Sequence, residues 1–139
     1  MAASPSGIAA DTGKLLLRLA VGGLMLFHGI SKIMGGVPGI IGMVEKAGLP
    51  GPLGYFVYVG EVVAPLLLIA GLWTRAAAAV VAINMVVAVY LVHVPELFTL
   101  SKSGGWALEL QGFYFLTALV VMLLGAGRFS AGGAGGRFN

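Results

Sequence analysis

An all-α integral membrane protein, folded as a bundle of four transmembrane helices, is what this sequence predicts. Three observations carry the prediction. Of 139 residues, 59% are hydrophobic and only 9% are charged, where a soluble domain has about 25% charged residues. The mean hydropathy is +1.02. The apolar residues also gather into four stretches of about 18–20 residues, the length a helix needs to cross a hydrocarbon core ~30 Å thick. With no water in that core the backbone must satisfy its own hydrogen bonds, so the stretches are read as helices. Barrel strands would be shorter and would alternate polar with apolar residues.

The first span is expected at Leu15–Ile33. Its apolar stretch is too long for a cleaved leader, and no clean small-residue cleavage site follows it. The second is expected at Gly54–Trp73 and the third at Ala76–Val94, joined by the very short turn Thr74-Arg75, which makes them antiparallel neighbours. The fourth is expected at Ala107–Leu124. Between the first two spans the loop Met34–Leu53 carries Gly35-Gly36, Pro38 and Leu49-Pro50-Gly51-Pro52. Its middle, Ile40–Ala47, is partly amphipathic and suits the membrane surface. Trp106 stands where an interfacial aromatic belongs. Residues 125–139 read as a flexible, Gly-rich tail of a single membrane domain.

Lys14, Arg18, Arg75, Arg128 and Arg137 fall on one side of this arrangement, and Lys32, Lys46 and Lys102, offset by Glu45 and Glu96, fall on the other. The bias puts both termini in the cytoplasm. The net charge of +3 includes no basic run suited to nucleic acid. The chain has no cysteine. Thiol chemistry of its own, thiolate zinc sites and disulfides are therefore excluded.

The polar residues inside the spans carry the functional reading. Glu61 lies deep in the second span, where a charged side chain costs roughly 2.5–3.5 kcal/mol on insertion scales. It is the candidate catalytic residue, a proton-accepting or ligand-binding carboxyl; the alternative is a structural ion pair or hydrogen bond that holds the bundle together, with His28 as one candidate partner. Pro65, four residues on, has no N–H for the Glu61 carbonyl and is expected to kink the helix there. Gly60 and Ala64 form a small-xxx-small pair that lets a neighbouring helix approach. Depth at about 1.5 Å per residue brings His28, Glu61, His93 and Glu109 into the same half of the bilayer. Lys32 shares a helical face with His28, and Asn84 lies deeper. The candidate ligand-binding residues are thus His28, Lys32, Asn84, His93 and Glu109. A weaker alternative makes His28 and His93 axial ligands of a haem, or members of a metal site. Lys32, Arg18 and Arg75 have snorkelling to the interface as their default role. Tyr55, Tyr58, Phe113 and Tyr114 read as packing and belt residues.

Leu17-Arg18-Leu19-Ala20, His28-Gly29-x-x-Lys32, Gly48-Leu49-Pro50, Glu61, Gly71-Leu72-x-Thr74-Arg75 and Gly127-Arg128-Phe129-Ser130 occur in this order. In them the chain resembles the DoxX family of small four-helix membrane proteins, from about Leu15 to Phe129. The resemblance implies a bacterial inner-membrane, multi-pass protein, a subunit in redox chemistry with a soluble partner. His28, Lys32, Glu61 and Arg75 match recurrent polar positions of the family. The leading expectation is a membrane redox subunit that binds a quinone or similar small molecule in a polar pocket. Glu61 would handle the proton, and His28 and Lys32 would contact the ligand. The alternatives are a non-enzymatic membrane assembly or binding protein, and a small transporter acting as a homo-oligomer.

Overall fold

The computed structural model describes residues 7–139, and all of its regular elements there are helical. The first helix, α1, spans Ile8–Gly35. It begins two turns before the apolar stretch because Asp11 sits in its first turn, where a carboxylate favours the positive end of the helix dipole. It stops at Gly36, whose φ of 74° a side chain would resist. Pro38 then opens the short helix α2, Pro38–Lys46, at a position that needs no N–H.

The second long helical stretch, α3, runs over Gly51–Ala70 and is not uniform. It begins as a 3-10 turn at Gly51–Phe56, widens into a π turn at Val59–Val63, and continues as α-helix over Ala64–Ala70. The widening has a cause in the sequence. Pro65 cannot donate to the Glu61 carbonyl, and the Ala64 N–H reaches back five residues to the Val59 carbonyl instead. The kink expected at Pro65 takes the form of this wide turn. Gly71, at φ 72°, ends α3: its own N–H and that of Leu72 both turn back to the Leu67 carbonyl.

After the turn at Gly71–Trp73, α4 runs over Thr74–Glu96, with a second π turn at Val89–His93. The final helix, α5, is Glu109–Leu124. It starts later than the apolar stretch because Ala107 is held in a small hairpin, its N–H on the Thr99 carbonyl and Trp106 opposite Leu100. Three stretches, α1, α3 and α4, are long and apolar enough to cross a membrane; α5 is apolar but shorter.

The core lies between α1, α3, α4 and α5. Val21 and Met25 meet Leu68 and Ala64, and the small row Ala77, Ala78, Val81 and Ala82 of α4 meets Ala118 and Val121 of α5. Small residues let helix backbones approach closely where lipid offers no hydrophobic drive. The outer surface carries large apolar side chains, Phe27, Ile83, Phe113, Leu116 and Leu123 among them. A water-exposed surface of that kind would be an interaction patch; here it suits hydrocarbon.

Residues 125–139, expected as a Gly-rich tail, make specific contacts in the structure. They fold back across the end of the bundle that carries Arg18. The Arg128 guanidinium meets buried Asp11 at 2.8 Å. The buried Asn139 side chain accepts hydrogen bonds from the Thr74 N–H and hydroxyl. Arg75 donates its backbone N–H to the Phe138 carbonyl. Glycine content hid this packing, because its anchors are polar and backbone groups rather than an apolar pattern.

Arg18 and Arg75 also depart from the snorkelling default. Arg18 is fully buried. It donates to the carbonyls of Leu68 and Ile69 at the end of α3 and to that of Phe129 in the tail. Arg75 donates to the carbonyls of Met122 and Leu123 at the end of α5. Each arginine thus caps a neighbouring helix, where unpaired carbonyls and the negative dipole end favour a cation.

Candidate functional site

At the other end of the bundle, α1 and α3 touch through glycine. A Cβ at Gly29 would overlap the Glu61 carbonyl. One at Gly22, two turns earlier, would lie 2.9 Å from the Pro65 carbonyl. This contact brings Lys32, less than one turn beyond Gly29, onto α3. Its ammonium forms an ion pair and hydrogen bond with Glu61 Oε2. The Glu61 side chain is 8% exposed and that of Lys32 24%. Tyr58 donates its hydroxyl to the Lys32 carbonyl at 3.0 Å, tying the end of α1 to α3. On the other side, Asn84 of α4 lies against Gly60, where a Cβ would collide with it, and its amide points to Glu61 Oε1 at 3.4 Å. Glu61 is therefore held from α1 and from α4, on a turn that Pro65 widens.

The group borders a cleft of about 490 Å³ between α3 and α4, closed on one side by α2. Lys32, Glu61, Asn84 and His93 are its polar lining; the rest is apolar, including Ile40, Met43 and Val44 of α2. Volume and character are those of a small-molecule site: apolar walls with a few polar groups that fix orientation. Both π turns fall on the two helices that form the cleft.

The other expected site residues are placed differently. His93 lines the cleft, but both of its ring nitrogens are engaged, Nδ1 with Glu96 at 2.8 Å and Nε2 with Gln111 at 3.2 Å. His28 is not part of the cleft lining. Its ring meets Tyr114 of α5 edge-on at 6.0 Å. The partner of Glu61 is thus Lys32 and not His28. The two imidazoles have separate surroundings. Among the described residues, no three His, Cys, Asp or Glu side chains converge on a metal position. Glu109 is exposed at the start of α5, its carboxylate folded over Gly105, and is not part of the cleft lining. Gly29 and Tyr58 belong to this group as well, although sequence reasoning left Gly29 without a role of its own and read Tyr58 as a packing or belt residue. A glycine between two polar residues of one helix was the available signal.

A family model described as DoxX matches residues 13–94, more than half of the chain. The chain belongs to the DoxX family. With its apolar helices, it is a multi-pass membrane protein. The DoxX match takes in Lys32, Gly29, Tyr58, Glu61, Asn84 and His93, and leaves α5 and the tail outside. No curated protein and no solved structure matches the chain.

Proposed function

We propose that this DoxX-family protein is a four-span inner-membrane redox subunit that binds a quinone, or a similar ring carbonyl compound, in the cleft between α3 and α4. One observation carries the reading: the Lys32–Glu61 pair, its carboxylate buried and its ammonium partly exposed, with Asn84 beside it, on the edge of a largely apolar cavity of about 490 Å³. An ammonium has three protons to donate, so Lys32 can hold Glu61 and a ring carbonyl together. Glu61, a carboxylate in this pair, handles the proton by first taking one up and then passing it to the reduced ring oxygen, because acid–base work needs a carboxyl within hydrogen-bond reach of the reacting oxygen. The quinone supplies the electron chemistry. The chain has no cysteine with which to relay electrons through a dithiol of its own, and in this reading a soluble redox partner supplies them. In this reading α5 is the fourth span. The end carrying Lys14, Arg18, Arg75, Arg128 and Arg137, with both termini, is cytoplasmic.

Binding is tested by calorimetric titration of decylubiquinone into the purified protein in non-ionic detergent. Saturable binding is expected. Ala88→Phe, which fills the cleft from a lining residue of α4 outside the ion pair itself, should abolish it and leave the melting temperature unchanged. Equal binding by the two proteins would refute the assignment.

A second reading has its own support. The Lys32–Glu61 pair and the Gly29 contact join α1 to α3, as a purely structural tie in an assembly protein would. That reading expects Glu61→Gln to lower the melting temperature and no quinone to bind.

A further inference from the structure

The cleft has two properties that together narrow what it accepts. Its walls belong to the apolar exterior: Phe56, Val59, Ile83 and Val87 line it and are also exposed. Its polar edge, in contrast, is already neutral, because the Lys32 ammonium and the Glu61 carboxylate offset each other.

From this we propose that the occupant is an amphiphile with an uncharged polar head and an apolar tail, taken sideways from the bilayer, and that Glu61 is the residue that excludes anionic heads. The inference rests on the cleft being the binding site proposed above, and adds the selection rule.

An anionic head, such as a fatty acid carboxylate, would have to compete for Lys32. Glu61 would then be left buried and unpaired beside a second negative charge, which is costly in a poorly hydrated site. A cationic head meets the mirror problem at Lys32. A ketone or quinone head separates no charges. It accepts from a remaining Lys32 proton and from the Asn84 amide. Its tail stays between the exposed apolar side chains of α3 and α4, in hydrocarbon, so no apolar surface is moved into water.

The test compares decylubiquinone, the tail-less head ubiquinone-0, oleate and dodecylamine by calorimetric titration in non-ionic detergent. The wild-type protein should bind decylubiquinone at least about tenfold more tightly than the other three, a difference of about 1.4 kcal/mol or more. Glu61→Gln frees the Lys32 charge and should raise oleate affinity about tenfold. Asn84→Asp adds a negative charge next to Glu61 and should admit dodecylamine, which keeps the rule testable if Glu61→Gln does not fold. Wild-type binding of oleate as tight as that of decylubiquinone, or no gain in either variant, would overturn the selection rule. Ubiquinone-0 bound as tightly as decylubiquinone would overturn sideways entry. Failure of all four to bind would instead remove the cleft as a site, and the proposed function with it.

Discussion

A single hydrogen atom in place of a methyl group at position 29 decides whether Lys32 and Glu61 can meet. Gly29→Ala sets a methyl group into the Glu61 carbonyl, and overpacking of this kind costs about 1–3 kcal/mol. A lowered melting temperature is expected, together with loss of decylubiquinone binding; an alanine protein that melts and binds like wild type would show that α1 can shift freely. The ion pair itself should behave non-additively. Removing one partner leaves a charge stranded, which costs about 3–5 kcal/mol when fully buried and less here, because Lys32 is partly exposed. Lys32→Met and Glu61→Leu are each expected to melt lower than the double variant that carries both. Equal or additive losses would argue against a direct pairing. Glu61 was legible from sequence because a lone acid in an apolar span is expensive. Its partner was not. His28 and Lys32 share one helical face, and sequence spacing does not say which of the two neighbours turns toward α3.

Within the elements, proline and arginine do most of the shaping. Pro65→Ala returns an N–H four residues after Glu61 and removes the reason for the wide turn at Val59–Val63. Closing a π turn to an α turn swings the preceding residues about 100° around the axis, so Glu61 should leave Lys32. Decylubiquinone affinity is expected to fall about tenfold with helical content unchanged by circular dichroism. Unchanged affinity would mean that the wide turn plays no part in the site. Arg18→Met strips donors from three carbonyls at the joint of α3 and the tail. A loss of about 3 kcal/mol is expected in denaturant unfolding. Arg18→Lys should recover only part of it, because one ammonium cannot span the forked geometry. The spans were readable from hydropathy, but their ends were set by other forces. Asp11 extends α1, a hairpin hydrogen bond at Ala107 delays α5, and Arg18, placed at the interface by default, is drawn inward by carbonyls that no side-chain pattern reveals.

The whole molecule is tied unevenly. The end bearing Arg18, Arg75 and Asn139 is laced by hydrogen bonds that reach α1, α3, α4, α5 and residues 125–139, while the opposite end holds the open cleft. Deleting residues 129–139 should expose the amides at the start of α4 to hydrogen exchange more than those near Glu61; uniform protection would show that the tail is dispensable. Since the chain has no cysteine, single cysteines report orientation without background. In intact cells an impermeant maleimide should label Ser103→Cys and spare Ala134→Cys, and the reverse pattern would invert the proposed topology. Composition made the membrane character plain, yet the laced end was invisible, because glycine-rich sequence carries no period that points to a docking surface. The Thr74–Asn139 hydrogen bond joins residues 65 positions apart. During synthesis the first amides of α4 therefore stay bare, and the helix acquires its cap only after α5 and the tail have been made. The closing of the tail thus completes that end of the bundle after all of its helices have been made.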